Sequence, residues 1–283
     1  ELDAGFIYND FCAPNLSKYL VKESRKEGKL LVFLKPCDTY SFNQLLKEHR
    51  ILRDNVYIIG VECTGKVDAD TVKSKGIKGI TGMESDGETV TIHTLYGDKT
   101  MSKAETLGDK CKTCKSKKHV IFDEMIGNDG EVNTDGARFE LVEKLEAMTP
   151  DERYNFWRGE LSKCIRCNAC RNVCPACTCE KCVFDNPESG VENKAAANSF
   201  EEKLFHVIRA FHVAGRCTDC GECSRVCPQN IPLHLLNRKF ISDINRLYGD
   251  YQAGSDLETR APLNAYTFGD CEPNIVYKRG GNE

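Results

Sequence analysis

A run of four cysteines occurs twice in this chain, and it constrains the fold more than any other feature. The first copy reads C-I-R-C-N-A-C-R-N-V-C-P, and the second reads C-T-D-C-G-E-C-S-R-V-C-P. Both copies have the spacing C-x2-C-x2-C-x3-C-P, which iron–sulfur proteins use to bind [4Fe–4S] clusters. Two copies therefore predict two such clusters and one-electron chemistry. The cysteines are Cys164, Cys167, Cys170 and Cys174 in the first run, and Cys217, Cys220, Cys223 and Cys227 in the second.

The fourth cysteine of each run is expected to bind the cluster of the other run, as in two-cluster bacterial ferredoxins. Three thiolates at three-residue intervals wrap around one cluster, whereas the fourth lies further round the turn and the next proline directs the chain away. We therefore predict that Cys174 joins the cluster of the second run and that Cys227 joins the cluster of the first. Zinc, which favours pairs of C-x2-C motifs, and disulfides are the alternatives.

The cysteine content also favours metal binding over a disulfide scaffold. Seventeen cysteines are spread over 283 residues, a chain much longer than small disulfide-rich secreted domains. Thiolates that bind iron must stay reduced, so the expected location is the cytoplasm of an anaerobe or a similarly reducing site. A net charge of −4 argues against nucleic-acid binding, and no apolar run approaches the roughly 20 residues of a membrane span. No signal peptide is visible, but the chain opens at Glu1 rather than Met, which leaves open whether a segment precedes it.

Length and pattern predict two folded domains and a tail. In the first domain, helical patterns at Asn15–Glu27 and Thr39–Arg50 alternate with short apolar runs at Lys29–Leu34 and Val56–Val61. This alternation indicates a parallel sheet covered by helices, and Thr89–Leu95 alternates as a small hairpin. The predicted boundaries are 1–135 for the α/β domain, 136–255 for a helical ferredoxin domain and 256–283 for the tail.

The second domain is predicted to be helical. Thr149 is a candidate N-cap, and Pro150 follows at the first helical position. The cysteine runs lie at helix ends, which suits an α-helical ferredoxin rather than a compact β-rich one. The fold class is thus α/β, with a partial parallel-sheet domain followed by an α-helical two-cluster ferredoxin domain. The predicted helices are Ala137–Ala147, Pro150–Lys163, Ser199–Val213 and Ile231–Leu247.

The first domain carries short cysteine motifs of its own. They read L-K-P-C-D at Leu34–Asp38, I-G-V-E-C-T-G at Ile59–Gly65 and C-K-T-C-K at Cys111–Lys115, and H-V-I-F-D-E-M-I-G-N follows with Asp123 and Gly127. In this order they resemble the beta subunit of coenzyme F-420 (deazaflavin) hydrogenases and related formate dehydrogenases, over roughly residues 11–130. The resemblance implies a third [4Fe–4S] cluster beside a bound flavin, FAD. The ligands that it implies are Cys37, Cys63, Cys111 and Cys114.

The positions of two of these cysteines support a binding site independently of the family. Cys37 and Cys63 each follow a predicted parallel strand, so both belong at the carboxyl edge of the sheet, where open α/β sheets bind ligands. A C-x2-C hairpin can close over the pair. Zinc is the main competing ligand, and burial of cysteines as small hydrophobic residues is the structural alternative.

The sequence departs from the family at both ends of the resemblance. The family's amino-terminal flavin segment has no counterpart before Glu1, and the helical domain is expected to replace the family's own ending after Asn128. Gly76–Gly97 matches no dinucleotide-binding fingerprint. The expectation of FAD therefore rests on the resemblance alone.

Three further cysteines directly follow the first run, namely Cys177, Cys179 and Cys182. They form a candidate additional metal site, for which Cys12 or Cys271 would supply a fourth ligand. They could equally substitute for Cys174 as a cluster ligand, or remain free thiols in a reducing compartment.

Histidines and lysines lie close to the predicted clusters. His206 and His212 fall near the packing face of the predicted helix Ser199–Val213, where a histidine could donate a hydrogen bond to a cluster's sulfur. The C-x2-C of the first domain lies among five lysines, which either form a solvated face or offset the charge of a thiolate-ligated cluster. They are Lys110, Lys112, Lys115, Lys117 and Lys118.

No catalytic residue is predicted, because the sequence shows no Ser/His/Asp arrangement, phosphate-binding loop or paired carboxylates in a catalytic context. The expected function is an iron–sulfur electron-transfer subunit of an anaerobic oxidoreductase complex, with three [4Fe–4S] clusters. Its expected partners are formate dehydrogenase, hydrogenase or heterodisulfide-reductase-like flavoprotein subunits. One alternative is a flavin-containing subunit that itself reduces or oxidises a deazaflavin or nicotinamide. Another is a zinc-binding scaffold.

Overall fold

The structure is a computed structural model that describes residues 6–115, 117–131, 138–186 and 199–263, without the side chains of 199–203. Cys271 and most of the predicted tail lie outside these ranges. Among the described residues, no helix has the length and apolar character needed to cross a membrane.

Strands occur only before residue 131 in the described ranges, and helices occur on both sides of it. The strands are β1 (Leu30–Leu34), β2 (Val56–Val61), β3 (Ile80–Ser85), β4 (Thr89–Thr94), β5 (Lys99–Ser102) and β6 (Glu124–Ile126). The α-helices are α1 (Ser17–Glu23), α2 (Pro36–Lys47), α3 (Ala69–Ser74), α4 (Lys103–Thr106), α5 (Asp109–Lys112), α6 (Glu140–Glu146), α7 (Pro150–Leu161), α8 (Ala169–Asn172), α9 (Ser199–Val213), α10 (Glu222–Arg225) and α11 (Leu233–Tyr248).

The predicted parallel sheet is present, with the strand order β1-β2-β6. Leu34 pairs with Gly60 at the carboxyl ends of β1 and β2, so the chain leaves both strands at the same edge. The sequence did not predict strand β6, because a three-residue strand carries too little periodicity to be recognised. The predicted hairpin is part of a separate antiparallel sheet with the order β3-β4-β5.

The part of the chain up to residue 131 contains all the described strands and is called the α/β half. Its core lies between the parallel sheet and α2. Leu34, Phe42, Leu45 and Ile58 are completely buried there. Burying side chains of this size stabilises the fold by about 1.5–3 kcal/mol each. Helix α2 begins three residues before the predicted start, at Pro36, because proline is favoured in the first helical turn.

The described residues from 138 onward form the helical half. Its core contains cysteines of both runs as well as apolar side chains. Leu161, Phe205 and Ile231 are almost completely buried in this cluster, together with Cys170, Cys223 and Cys227. Helix α7 begins as predicted, since the Thr149 side chain and the Glu152 carboxylate form a capping box. The apolar core of this half therefore surrounds the cysteine runs.

The two halves are joined by polar contacts between α2 and the start of the second cysteine run. The Ser41 and Thr218 hydroxyls are 2.8 Å apart and buried, and Arg216 Nε donates a hydrogen bond of 2.7 Å to the Glu48 carboxylate. Gly254 packs directly on the backbone of Tyr40, where a Cβ would lie 1.9 Å from the carbonyl oxygen. These contacts bring the second run next to the α/β half.

Candidate iron–sulfur sites

Four cysteines of the α/β half line a single cavity, and they are Cys37, Cys63, Cys111 and Cys114. Cys37 lies in the first turn of α2, directly after β1, and Cys63 lies two residues after the end of β2. Helix α5 carries Cys111, and Cys114 follows it across the same cavity. The carboxyl edge of the parallel sheet therefore brings together the four cysteines that the resemblance implied.

Lysines surround these thiols. Lys35 and Lys66 line the cavity and are each only 4% exposed, and Lys35 Nζ lies 2.8 Å from the Asp38 carboxylate. Lys110 pairs with the Glu222 carboxylate of the second run, and Lys115 Nζ lies 4.1 Å from the centre of the Tyr40 ring. Burial lowers the pKa of Lys115 to about 8.

These positions decide between the two interpretations of the lysine-rich segment for two of its members, which are half-buried. Lys110 and Lys115 line the cysteine cavity instead of forming a solvated face. A cluster bound by four thiolates carries net negative charge, and buried cations beside it offset that charge and raise its reduction potential. The thiols and cations of the cavity therefore fit a [4Fe–4S] cluster.

The two ferredoxin-type runs adopt the same backbone conformation. In the first run Arg166 and Asn168 have positive φ angles of 54° and 61°, and in the second Asp219 and Gly221 have 58° and 69°. Residues other than glycine rarely adopt this conformation, yet it occurs at equivalent positions of both loops. A short helix follows in each case, α8 in the first run and α10 in the second.

The structure also brings the fourth cysteine of each run to the opposite run. Burial raises the pKa of Cys170, and the nearby thiols of its own run and of Cys227 raise it further. Burial raises the pKa of Cys223 to about 12, and Cys174 and Cys217 are among the thiols that act on it. Cys174 also acts on the pKa of Cys220. Cys227 packs in one cluster with Cys170, and Cys174 packs with Cys217; the crossed ligand sets themselves stay a prediction.

Two polar side chains contact thiols of the runs. His206 Nε2 lies 3.2 Å from Cys164 Sγ, and Asn237 Nδ2 lies 3.7 Å from Cys223 Sγ. Burial, helped by Arg209 and Arg166, lowers the pKa of His206 to about 3, so this imidazole is neutral at neutral pH. A neutral imidazole with its proton on Nε2 donates to the sulfur. His206 lies on the packing face as predicted, whereas His212 is exposed, because it falls on the solvent side of α9.

A buried ion-pair cluster holds the loop of the second run. The Asp219 side chain is 2% exposed and lies 2.8 Å from both Arg138 Nε and Arg238 Nε. Arg238 is itself 1% exposed and comes from α11. Local sequence motifs do not predict this arrangement, because the two arginines are 81 and 19 residues from Asp219.

The three additional cysteines line a second cavity of about 350 Å³ with several cations. The thiols of Cys177 and Cys174 form a hydrogen bond that lowers the pKa of Cys174 and raises that of Cys177. Cys12 instead contacts Asn9 and the Ile7 carbonyl in the amino-terminal segment. In the part of the chain that the structure describes, no group of three or more His, Cys, Asp or Glu side chains is arranged to hold one metal ion.

Comparison with known proteins identifies a 4Fe-4S dicluster domain at residues 160–231, which contains both runs. Two other proteins are similar to most of the chain. The "F420-dependent formate dehydrogenase subunit beta" of Methanocaldococcus jannaschii is 25% identical over 280 aligned residues, covering 78% of this chain and 73% of that protein. The "F420-dependent formate dehydrogenase 1 subunit beta" of Methanococcus maripaludis is 26% identical over 315 residues, covering 89% and 80%.

The similarity to formate dehydrogenase beta subunits extends into the helical half. Coverage of 89% of this chain cannot be confined to residues 11–130, and the 4Fe-4S dicluster domain at residues 160–231 lies in the helical half. The chain combines similarity to these beta subunits with a 4Fe-4S dicluster domain, and it is an iron–sulfur electron-transfer subunit of an oxidoreductase.

Proposed function

We propose that this chain carries three [4Fe–4S] clusters and relays single electrons between other subunits of an anaerobic redox complex. The three sites are the α/β cluster, the second-run cluster and the first-run cluster. Their proposed ligands are Cys37, Cys63, Cys111 and Cys114 for the α/β cluster, Cys217, Cys220, Cys223 and Cys174 for the second-run cluster, and Cys164, Cys167, Cys170 and Cys227 for the first-run cluster.

The observation that carries the proposal is that residues of the second run form one wall of the cavity at the α/β cluster site. Asp219 and Cys220 of the second run line the same cavity as the four cysteines of the α/β half. The Lys110–Glu222 ion pair also spans this wall, and the Glu222 side chain is completely buried. Because the crossed ligand sets link the two runs, the proposed order of electron flow is α/β cluster, second-run cluster, first-run cluster, or the reverse.

The free end of this path is proposed to lie at the first run. Cys167 is exposed there, and the neighbouring Ile165 is 62% exposed. By contrast, Cys170, Cys223 and Cys227 are buried. An exposed thiolate ligand gives a partner protein close access to the cluster, so the first-run loop is the proposed docking point for one electron-transfer partner.

The chain's own residues have distinct roles in this proposal. A bound [4Fe–4S] cluster accepts and releases one electron at a time. The buried lysines of the α/β cavity offset added negative charge, and the apolar core of the helical half keeps water away from the runs. His206 and Asn237 direct N–H groups at thiol sulfurs, which favours the reduced form of the neighbouring cluster.

Iron and acid-labile sulfide analysis of the anaerobically purified chain tests the number of clusters. Three clusters require about twelve irons per chain, and a Cys63→Ser variant is expected to retain about eight. Cys12→Ser is the matched control, since Cys12 belongs to none of the proposed ligand sets, and it should keep all twelve. A wild-type content of eight irons would remove the α/β cluster from the proposal, and zinc without iron would end it.

A bound FAD is the second candidate, and the described residues include one open cleft of suitable size. It has a volume of about 700 Å³ and adjoins the cysteine cavity through Lys66, which lines both. Other residues of the cleft include Tyr8, Glu62 and Met83. Flavin fluorescence in the supernatant of the denatured protein would support a subunit that itself reacts with a deazaflavin or nicotinamide. Iron without flavin would leave the electron-relay function alone.

The proposed partners follow from the names of the relatives, which are subunits of formate dehydrogenases. We propose that the chain works beside a catalytic subunit in a reducing compartment, the cytoplasm. Affinity purification from the native source should recover a formate dehydrogenase, hydrogenase or heterodisulfide-reductase-like subunit. An Ile165→Glu variant should weaken one partner's association, because it places a charge beside the exposed Cys167. Recovery of the chain alone under gentle, anaerobic conditions would argue against a complex.

A further inference from the structure

Arg209 is a buried cation at the centre of the helical half. It lies on α9, is 3% exposed, and its Nη2 donates a hydrogen bond of 3.1 Å to the carbonyl oxygen of Cys170. Its Nε has no hydrogen-bond partner. Among the side chains that the structure describes, no carboxylate forms an ion pair with it.

A buried guanidinium without a carboxylate is costly, because its charge has lost the stabilisation that water provides. Helix α9 places Arg209 beside Cys170, and Val213, one turn later on the same helix, packs in one cluster with Cys174 and Cys217. Burial opposes its charge, but Cys174, Cys223, Cys177 and Cys170 outweigh burial and raise the pKa of Arg209 above its usual value. Cys170 belongs to the proposed first-run cluster, whereas Cys174 and Cys223 belong to the second-run cluster. The negative charge that Arg209 requires therefore comes from both sites.

We propose that Arg209 is the shared counter-ion of the first-run and second-run clusters and raises the reduction potentials of both. This inference rests on the proposed function and on its crossed ligand sets. One electron from a partner adds one negative charge to a cluster, and a fixed cation in a low-dielectric surrounding stabilises that reduced form. Arg209 keeps its proton throughout, since guanidinium groups stay protonated in proteins.

His206 provides a comparison on the same helix. It lies one turn before Arg209, and its contact with a thiol is the 3.2 Å approach to Cys164 Sγ. Cys164 is a proposed ligand of the first-run cluster only. The arrangement of α9 therefore predicts two different outcomes, in which His206 affects one potential and Arg209 affects two.

A redox titration of the full, iron-loaded chain, followed by electron paramagnetic resonance, tests the proposal. In Arg209→Gln the ratio of reduced to oxidised cluster at a fixed potential should fall about tenfold at both sites. For a one-electron couple this corresponds to a decrease of about 59 mV in each reduction potential. Arg209→Lys keeps the charge and should hold both ratios within about threefold of wild type. His206→Leu should lower the ratio of the first-run cluster alone.

Arg246→Gln is the matched control, because it removes an exposed guanidinium of the same half that pairs with Asp243 on α11 at 3.0 Å. It should change neither ratio by more than about twofold. The proposal would be overturned if Arg209→Gln left both ratios unchanged or lowered the ratio of one cluster only. It would also be overturned if Arg209→Lys lowered both ratios as much as Arg209→Gln does. Wild-type protein with intact clusters and unaltered Arg209→Gln potentials would refute this role alone, whereas wild-type protein without these clusters would refute the proposed function.

If Arg209→Gln does not retain its iron, Arg209→Met supplies the second test. This unbranched side chain fills a similar space without a charge, so the ratio of reduced to oxidised cluster should again fall about tenfold at both sites. Ratios equal to those of the wild type would overturn the proposal.

Discussion

At the residue scale, the two cysteine loops share one backbone conformation but differ in one side chain. Asn168 and Gly221 occupy equivalent positions with positive φ angles. A Cβ on Gly221 would lie 2.4 Å from Cβ of Lys110, which comes from the other half of the chain. The repeated motif predicted the matching loops, but the requirement for glycine arises from this contact and could not be predicted from the motif.

Gly221→Asn is expected to displace Lys110 and to weaken the second-run cluster. The strained contact is with a Cβ atom rather than with a flexible side-chain end, so the loop or α5 must move. Iron content and the thermal unfolding midpoint should both fall. The matched control is Asn168→Gly, which changes the equivalent position of the first run and should cost at most about 1 kcal/mol. Equal behaviour of the two variants would contradict the role assigned to Lys110.

At the scale of elements, local sequence signals identified most helices and strands that have a strong periodicity or a cap. The parallel pair β1 and β2 and the capped start of α7 followed from such signals. Helix α11 begins at Leu233, two residues after the predicted start, since Pro232 precedes it. The short strand β6 and the Asp219 ion pairs depend on contacts distant in sequence, which no local pattern records.

Asp219→Asn is expected to lower the free energy of unfolding by about 3–5 kcal/mol, because it removes the charge that compensates two buried guanidinium groups. Chemical denaturation under anaerobic conditions measures the loss. Asp243→Asn is the control, since that carboxylate also pairs with basic side chains on α11 but its side chain is 28% exposed. Its removal should cost about 1 kcal/mol or less. Similar losses of unfolding free energy in the two variants would show that the Asp219 ion pairs stabilise the fold no more than exposed ion pairs do.

Cys174→Ser and Cys227→Ser test the crossing between the cysteine-bearing elements. Cys174 belongs by sequence to the first run but influences the thiols of Cys220 and Cys223. Cys174→Ser should therefore disturb the spectroscopic signal of the second-run cluster, and Cys227→Ser should disturb that of the first-run cluster. Each variant should leave the other signal near its wild-type intensity. Loss of the signal of the variant's own run would instead favour uncrossed ligand sets, or a substitute ligand such as Cys177.

At the scale of the whole molecule, the arrangement of the two halves was beyond the reach of sequence patterns. Contacts such as Ser41–Thr218 and Arg216–Glu48 join residues 177 and 168 positions apart. Each half could be interpreted by its own motifs, but no motif indicates that Cys220 lines the cavity of the α/β half. Because Cys220 lines this cavity, the three candidate sites can be joined into one proposed path for electrons.

Removal of the middle site should interrupt electron flow while leaving both ends intact. Cys220→Ser is expected to lose the second-run cluster and to slow reduction of the α/β cluster at least about tenfold, corresponding to an added barrier of about 1.4 kcal/mol or more. The reason is that Cys220 lines the wall between the two sites, so electrons from a donor docked near Cys167 would have to cross the gap directly.

Stopped-flow reduction of the iron-loaded chain measures the rate. Cys179→Ser changes an exposed cysteine outside the proposed ligand sets and should leave the rate unchanged. Equal rates in Cys220→Ser and wild type, with the second-run cluster absent, would mean that electrons reach the α/β cluster by another route.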